Sequence, residues 1–263
     1  MADPQILAET TDGVVTITMN RPERLNAWTY QMQREMVEVI DAGNADPDVI
    51  AFILTGAGRG FCAGADIGDV FKAQADGEQT DRVGRDWVGL IRESKPFIAA
   101  VNGAAIGVGL TQILPMDHIV GAEGAKLSLR FVKMGVVPEL ASSKLVPMRC
   151  GFGVASDLML TGRTILAEEA HTLGLIDRVV APDDLLGAAH EMATAMGENP
   201  QSSIAFAKQL LTENMTETEL GAVQRRELEL LAQAYKTPEH KEAIAAFLEK
   251  RDPDFAAARR SAD

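Results

Sequence analysis

Short apolar runs alternate with stretches of helical periodicity along the chain. The β-rich runs Ile6–Glu9 and Val14–Met19 flank a turn at residues 10–13, which predicts an opening hairpin. Val49–Leu54 and Phe97–Val101 are short and almost wholly apolar, as buried strands are. Strands that alternate with helical segments indicate an α/β architecture.

Helical spacing of apolar residues predicts several amphipathic helices. Thr29 is placed to cap the first, and the pair Lys95-Pro96 ends a second that contains Val83, Trp87, Leu90 and Ile91. The apolar face of the first helix consists of Met32, Met36, Val39, Ile40 and Gly43. Further strands are expected at 119–121, 126–129 and 175–180, and further helices at 151–160, 167–173, 184–198, 201–213, 217–235 and 238–250.

Two of the buried strands run directly into glycine-rich loops. The first loop, Thr55–Ile67, has glycines at 56, 58, 60 and 64, and the second follows Val101 with glycines at 103, 107 and 109. Glycine lets the main chain come close to a ligand, although such loops can also be ordinary turns. Together the two loops predict a site where two backbone N–H groups point at one atom.

Composition narrows the class of protein. A chain of 263 residues with 46% hydrophobic and 24% charged content is long enough to bury a large core. The net charge of −13 argues against a nucleic-acid partner, which would need clustered Lys and Arg. Two cysteines cannot build a disulfide framework, and no apolar run is long enough for a membrane helix. We therefore expect a cytoplasmic location with no membrane partner.

Three segments, in this order, resemble the crotonase superfamily, the enoyl-CoA hydratase/isomerase family. They are Asn20–Ala27 (NRPERLNA), Phe61–Ile67 (FCAGADI) and Val101–Gly109 (VNGAAIGVG). The resemblance implies the ClpP/crotonase-like α/β fold, a spiral of repeated ββα units. It places that core and the acyl-CoA site in residues 1–198 and a helical trimerisation region in 199–263, with a homotrimer or a hexamer of two trimers as the assembly.

The same resemblance implies the substrate and the residues that hold it. The substrate would be an acyl-CoA thioester, with coenzyme A as part of the substrate and no separate cofactor. Its carbonyl oxygen would lie between the N–H groups of Ala63 and Val108. The segment 68–81 would border the acyl pocket. The other substrate-binding positions implied are Arg24, Leu25, Ala65, Asp66, Ile67, Ile106, Gly107, Phe131, Pro138, Phe247 and Lys250.

The acid-base residues depart from the family's two-glutamate hydratase pattern. The two glutamate positions hold Thr111 and Phe131, and neither side chain can act as a base. Pro138-Glu139 followed by Ser142-Ser143 resembles instead the peroxisomal-type branch of Δ3,Δ2-enoyl-CoA isomerases, which has a single catalytic glutamate. Glu139 is the candidate base.

An apolar pocket around Glu139, formed partly by Phe131 and Val137, would raise the pKa of its carboxyl by disfavouring the charged form. The alternative is a glutamate in the first turn of a helix after Pro138, placed there by the helix dipole.

The sequence favours movement of a double bond from 3-enoyl-CoA to 2-enoyl-CoA, because one carboxylate can take a proton from C2 and return it at C4. Hydration of 2-enoyl-CoA is the first alternative, and a noncatalytic acyl-CoA binder is the second. Cys62 as a nucleophile is a weaker alternative, since no histidine lies near it in sequence. His118 and His171 have no metal-ligand spacing, so we infer no metal.

Overall fold

The structure is a computed structural model that describes residues 3–71 and 85–261. Its larger sheet has six strands in the order β1-β2-β3-β5-β7-β10. β1 and β2 form the predicted antiparallel hairpin, and every later neighbour in this sheet is parallel. The strands are β1 (Ile6–Thr11), β2 (Val14–Met19), β3 (Ala51–Gly56), β5 (Phe97–Val101), β7 (His118–Ala122) and β10 (Arg178–Val180).

A smaller sheet of four short strands lies beside the larger one in the order β4-β6-β8-β9. Each turn of the chain gives one strand to each sheet: β3 is followed by β4, β5 by β6, and β7 by β8. The repeated ββα spiral predicted from the sequence is confirmed. The strands of this sheet are β4 (Gly60–Cys62), β6 (Ala104–Ile106), β8 (Lys126–Ser128) and β9 (Thr164–Leu166).

Helices follow these strand pairs and then form the C-terminal part of the chain. The helix predicted at 151–160 is confirmed, and a further helical stretch that was not predicted precedes it from Ser142, with a kink at Gly151, where the φ of 77° is non-helical. The helices are α1 (Tyr30–Ala45), α2 (Trp87–Glu93), α3 (Val108–Thr111), α4 (Ser142–Thr161), α5 (Ala167–Thr172), α6 (Leu185–Gly197), α7 (Gln201–Asn214), α8 (Leu220–Ala234), α9 (Pro238–Glu249) and α10 (Phe255–Arg260).

Helix α1 shows how the local pattern determines the packing. The Thr29 hydroxyl accepts a hydrogen bond from the Met32 N–H at 3.1 Å, which satisfies one of the free donors of the first turn. Met32, Met36 and Ile40 on the predicted apolar face are all fully buried. This helix therefore covers one face of the larger sheet.

The central strand β3 is buried along its whole length because both faces of the sheet are covered. Phe52 and Leu54 point into a core shared with α1, α2 and α4, whereas Ala51 and Ile53 point into a second core beneath α6. Such a strand has little freedom to move. Its C-terminal end at Gly56 is consequently a firm base for the first glycine-rich loop.

The C-terminal helices are anchored to this core through a buried ionic cluster. Lys208 on α7 donates to the Asp117 carboxylate at 2.6 Å, and Arg92 on α2 donates to the same carboxylate at 2.8 Å.

The last helices of the chain carry exposed apolar side chains: Leu220 and Phe247 are more than 80% exposed. That residues 199–263 form a separate oligomerisation region stays a prediction. Within the described ranges, no helix is long and apolar enough to cross a membrane.

Candidate active site

The fold brings the two glycine-rich loops together at one edge of the smaller sheet. β4 and β6 are parallel neighbours, so the loops that leave them emerge side by side. At Gly109 an added Cβ would lie 2.2 Å from the carbonyl oxygen of Cys62. The main chains of the two loops are therefore in direct contact, and only glycine fits between them.

The prediction that Ala63 supplies one of the two N–H donors is wrong. Its N–H donates to the Leu25 carbonyl at 3.0 Å, and so it is already used within the protein. The bond belongs to a short parallel pairing between residues 25–28 and 63–66. Trp28 N–H donates to Gly64 C=O at 2.8 Å, and Asp66 N–H donates to Trp28 C=O at 2.9 Å.

The pairing identifies the donor that replaces Ala63. Along an extended segment successive N–H groups point to opposite sides. Asp66 N–H points toward the 25–28 segment, so the N–H of its neighbour Ala65 points away from that segment, and Ala65 lines the cavity described below. Val108 begins α3, and neither its N–H nor that of Ala65 has an acceptor among the described residues. These two amides are the candidate oxyanion donors.

The remaining residues of the NRPERLNA segment fasten the first loop. Asn26 is fully buried, and its side-chain amide donates to the carbonyls of Ala57 and Gly60 at 2.9 and 2.8 Å. Arg21 forms an ion pair with Asp66 at 3.0 Å, with both side chains largely buried. Because each bond holds main-chain direction, the amide of Ala65 is fixed before a ligand arrives.

A cavity of about 1160 Å³ opens in front of the two amides. Its size is sufficient for a substrate tail and its reacting group together. Of the predicted site residues, Ala63, Ala65, Ile67, Ile106, Gly107, Val108, Phe131 and Glu139 line it.

Glu139 enters this cavity from the loop before α4. The alternative role as a helix first-turn glutamate does not hold, because α4 begins only at Ser142. Leu140 and Ala141 between them have left-handed φ values of 51° and 56°. Non-glycine residues rarely adopt that conformation, and a pair of them is the kind of backbone strain that accumulates at functional sites. The turn points the carboxylate of Glu139 into the cavity instead of along the helix.

The surroundings of Glu139 favour its protonated form. Its side chain is accessible, yet the accessible surface faces the cavity, where Val136, Val137, Leu140 and Phe131 are neighbours in the lining. Partial burial raises the pKa of the Glu139 carboxyl, and a hydrogen bond from Thr111 partly opposes that rise. A carboxylate with a raised pKa is the stronger proton acceptor once it is ionised.

Thr111 contacts this carboxylate directly. Its hydroxyl lies 3.4 Å from Glu139 Oε1 and is otherwise near only the Gly107 carbonyl, also at 3.4 Å. The residue that stands where a hydratase-type glutamate was expected thus serves as a weak donor to the single glutamate. Any effect of Thr111 on the reaction would therefore act through Glu139, as that of a positioning residue.

Replacement of Thr111 by valine is expected to move the acid limb of the kcat/KM profile to higher pH. Without the donor the pKa of Glu139 rises further, so less of the enzyme carries the ionised base at a given acidic pH. The loss on the acid limb should be about 3- to 10-fold, the value of one hydrogen bond, and smaller at alkaline pH. Thr111→Ser keeps the hydroxyl and should retain the wild-type profile; an unshifted profile in the valine variant would contradict the contact's role.

The other predicted substrate contacts lie outside the cavity. Arg24 and Pro138 are not among its lining residues, and Leu25 contributes its carbonyl to Ala63. Phe247 and Lys250, at the end of α9, are exposed, and Phe247 is 83% accessible. Within a single chain these two positions do not reach the cavity, so their contact with coenzyme A stays a prediction that requires a neighbouring subunit.

Cys62 does not have the character of a nucleophile. It is fully buried, and desolvation raises the pKa of its thiol to about 11, which keeps it protonated at neutral pH. Its carbonyl and Cβ instead pack against Gly109. In the part of the chain that the structure describes, no three His, Cys, Asp or Glu side chains come together as metal ligands do.

Several lining residues were missed at the level of sequence. Trp28 directly follows the NRPERLNA segment, and this position in the sequence could have indicated that its side chain lies near the first loop. The others come from elements remote in sequence, and only the tertiary fold shows them: Tyr30, Gln33, Arg85, Asp86, Trp87, Gln112 and Arg130. Arg85 pairs with Asp41, whereas no described carboxylate pairs with Arg130.

Comparison with known proteins assigns the chain to a family. The profile of the enoyl-CoA hydratase/isomerase family matches residues 9–258. The chain is 35% identical to the 1,2-epoxyphenylacetyl-CoA isomerase of Escherichia coli, with 95% of this chain and 97% of that protein covered. It is 37% identical, at the same coverage, to a probable enoyl-CoA hydratase of Mycobacterium leprae.

Solved structures show the same fold. A putative enoyl-CoA hydratase/carnithine racemase from Magnetospirillum magneticum superposes with a TM-score of 0.85 at 32% identity, over 97% of this chain and 99% of that one. An enoyl-CoA hydratase from Mycobacterium tuberculosis superposes with a TM-score of 0.84 at 31% identity, over 96% and 98% of the two chains. The chain belongs to the enoyl-CoA hydratase/isomerase family, and it is an acyl-CoA enzyme with the crotonase fold.

Proposed function

We propose that this enzyme moves the double bond of a 3-enoyl-CoA to give the 2-enoyl-CoA, with Glu139 as the single proton shuttle. The proposal rests on which acidic side chains line the cavity. Glu139 lies in the cavity lined by two unused amides, while the two positions that hold glutamates in the hydratase pattern are Thr111 and Phe131. The proposal places the chain nearest the single-glutamate isomerases of the family.

The reaction requires a proton to leave C2 and a proton to arrive at C4. When the C2 proton leaves, negative charge develops on the thioester oxygen as a dienolate forms. The N–H groups of Ala65 and Val108 stabilise that charge, and one such donor is typically worth about 3 to 4 kcal/mol. Glu139 accepts the proton from C2 and returns it to C4, so atoms and charge balance without a second acid.

Hydration needs more than this arrangement supplies. A water molecule must be held and activated at C3 while a proton is delivered to C2, which the family's two-glutamate pattern provides with two carboxyl groups. The second carboxylate in the described lining is Asp86, the residue that precedes α2. Hydration by Glu139 together with Asp86 is the alternative function, and several relatives bear the name hydratase.

The name of one relative supports isomerisation as a chemistry of this lineage. The Escherichia coli protein described above is named an isomerase of a CoA thioester, and it matches this chain over nearly its full length. One carboxylate, Glu139, and two backbone amides are sufficient for isomerisation. The family's hydratase pattern uses two glutamates, one more than this arrangement provides.

A side-by-side assay with 3-hexenoyl-CoA and 2-hexenoyl-CoA tests the proposal. We expect formation of the 2-enoyl product from the first substrate to exceed hydration of the second by at least about 100-fold in kcat/KM, a difference of about 2.7 kcal/mol in transition-state stabilisation. Faster hydration of the 2-enoyl substrate would instead establish the alternative.

The assembly is also part of the proposal. Leu220, Leu228, Leu231 and Phe247 on α8 and α9 are exposed in the single chain. Exposed apolar side chains in such number usually mark an interface. We propose that these helices form the trimer contact, from which Phe247 and Lys250 would reach the acyl-CoA of a neighbouring subunit.

A further inference from the structure

The aromatic residues of this chain are unevenly distributed. The chain has only two tryptophans and two tyrosines, and aromatic residues make up 5% of it. Both tryptophans, Trp28 and Trp87, line the active-site cavity, together with Tyr30 and Phe131. The core elsewhere holds no indole ring and is filled with Ile, Leu, Val, Met and Ala and with Phe52, Phe61 and Phe97. Indole rings are therefore concentrated where the ligand binds.

Two of these rings flank the oxyanion donors. Trp28 pairs through its backbone with Ala65, so its side chain leaves the main chain next to one donor. Phe131 lies beside the other, since its Cζ is 4.0 Å from the position of an added Cβ at Gly107. A group attached to a thioester carbonyl at the two amides must pass these rings.

The rings are also held in fixed orientations. Trp28 and Tyr30 form an edge-to-face pair with centroids 5.1 Å apart and planes at 70°. The indole N–H of Trp87 donates to the Gln112 carbonyl at 2.9 Å, which fixes the ring and satisfies its one polar atom. Preset aromatic faces and edges favour another aromatic ring, since offset and edge-to-face pairs gain energy beyond the area they bury.

We infer that the acyl pocket is specific for an acyl group that carries an aromatic ring close to the thioester, in preference to an unbranched alkyl chain. The inference rests on the proposed placement of the thioester oxygen at Ala65 and Val108. It concerns only which acyl group the pocket binds, and it does not depend on which reaction follows.

Calorimetric titration with two unreactive ligands, phenylacetyl-CoA and cyclohexylacetyl-CoA, tests this inference. The two acyl groups have six-membered rings at the same position, and the saturated ring is the more hydrophobic. A pocket that selects by burial alone would bind the saturated ring at least as tightly. We expect phenylacetyl-CoA to bind about 3- to 10-fold more tightly, the gain from one well-placed aromatic contact.

Variants of the flanking rings assign the preference to them. Trp28→Leu should reduce the ratio of the two dissociation constants to about one, whereas Trp28→Phe should keep most of it. Phe131→Leu provides a second variant if Trp28→Leu does not fold. Equal affinities in the wild type, or a ratio unchanged in both leucine variants, would overturn the inference. Since neither ligand has a double bond to move, the result is independent of the isomerase proposal.

Discussion

Replacement of Glu139 by glutamine is expected to lower kcat for double-bond migration by on the order of 10⁴-fold, the upper end of what one general acid-base group contributes. The upper end applies because the same carboxylate is assigned both proton transfers. Glutamine has nearly the same shape and can still accept a hydrogen bond from Thr111, so binding of the acyl-CoA should change little. Rates under single-turnover conditions, with affinity measured separately, check the prediction.

The control for Glu139→Gln is the other carboxylate of the cavity. Asp86→Asn removes that charge but leaves Glu139 and both amides in place. It should retain most of the isomerase activity. If instead Asp86→Asn removed the activity and Glu139→Gln preserved it, the base would have been assigned to the wrong wall of the cavity.

Replacement of Gly109 by alanine is expected to lower the midpoint of thermal unfolding by about 6 to 12 °C. The new Cβ would lie 2.2 Å from the Cys62 carbonyl oxygen and 2.9 Å from its Cβ, so two main chains must separate. Such overpacking against backbone costs about 3 kcal/mol, which corresponds to a shift of that size in a chain of this length. Because the same movement displaces the amide of Val108, isomerase activity should fall as well.

A glycine-to-alanine change in open space serves as the comparison for Gly109. Gly187 on α6 has no atom within 4 Å of its added Cβ and has helical geometry, so Gly187→Ala should be neutral or stabilising by up to about 1 kcal/mol. Calorimetric scans of both variants at one protein concentration check the pair. Similar midpoints for the two would show that the loops adapt to a side chain at position 109.

The sequence predicted the framework of the site because its signals were local. Two buried strands are each followed by a glycine-rich segment, which identifies the two loops. Because β4 and β6 are parallel neighbours in one sheet, the two loops lie together. The Thr29 cap and the buried face of α1 likewise follow from spacing alone. The residues that determine these elements lie within a few positions of them in the sequence.

The prediction that the Ala63 N–H is an oxyanion donor is wrong because the direction of this N–H depends on a tertiary contact. Which residues of an extended loop turn their N–H groups to the ligand depends on which of them donate to a neighbouring segment, and Gly64, with a φ of 108°, breaks the simple alternation between Ala63 and Ala65. Here the partner is the stretch 25–28, more than 35 residues earlier in the chain. The resemblance points to the loop, but the direction of each amide depends on the partner segment.

The first half of α4 and the aromatic wall were missed for similar reasons. Pro147 and Gly151 lie within α4, and both are residues that normally interrupt a helix, so the periodic signal began only after them. The cavity aromatics come from separate elements that meet only in the folded chain. Residues 72–84, which include 72–81 of the segment expected to border the acyl pocket, lie outside the described structure.

A crystal structure of the Glu139→Gln variant with 3-hexenoyl-CoA bound would test the central claim most directly. We expect the thioester oxygen about 3 Å from the nitrogens of both Ala65 and Val108, with the side chain at position 139 facing C2 and reaching toward C4. A thioester oxygen bound elsewhere, or a side chain at position 139 turned away from those carbons, would contradict it.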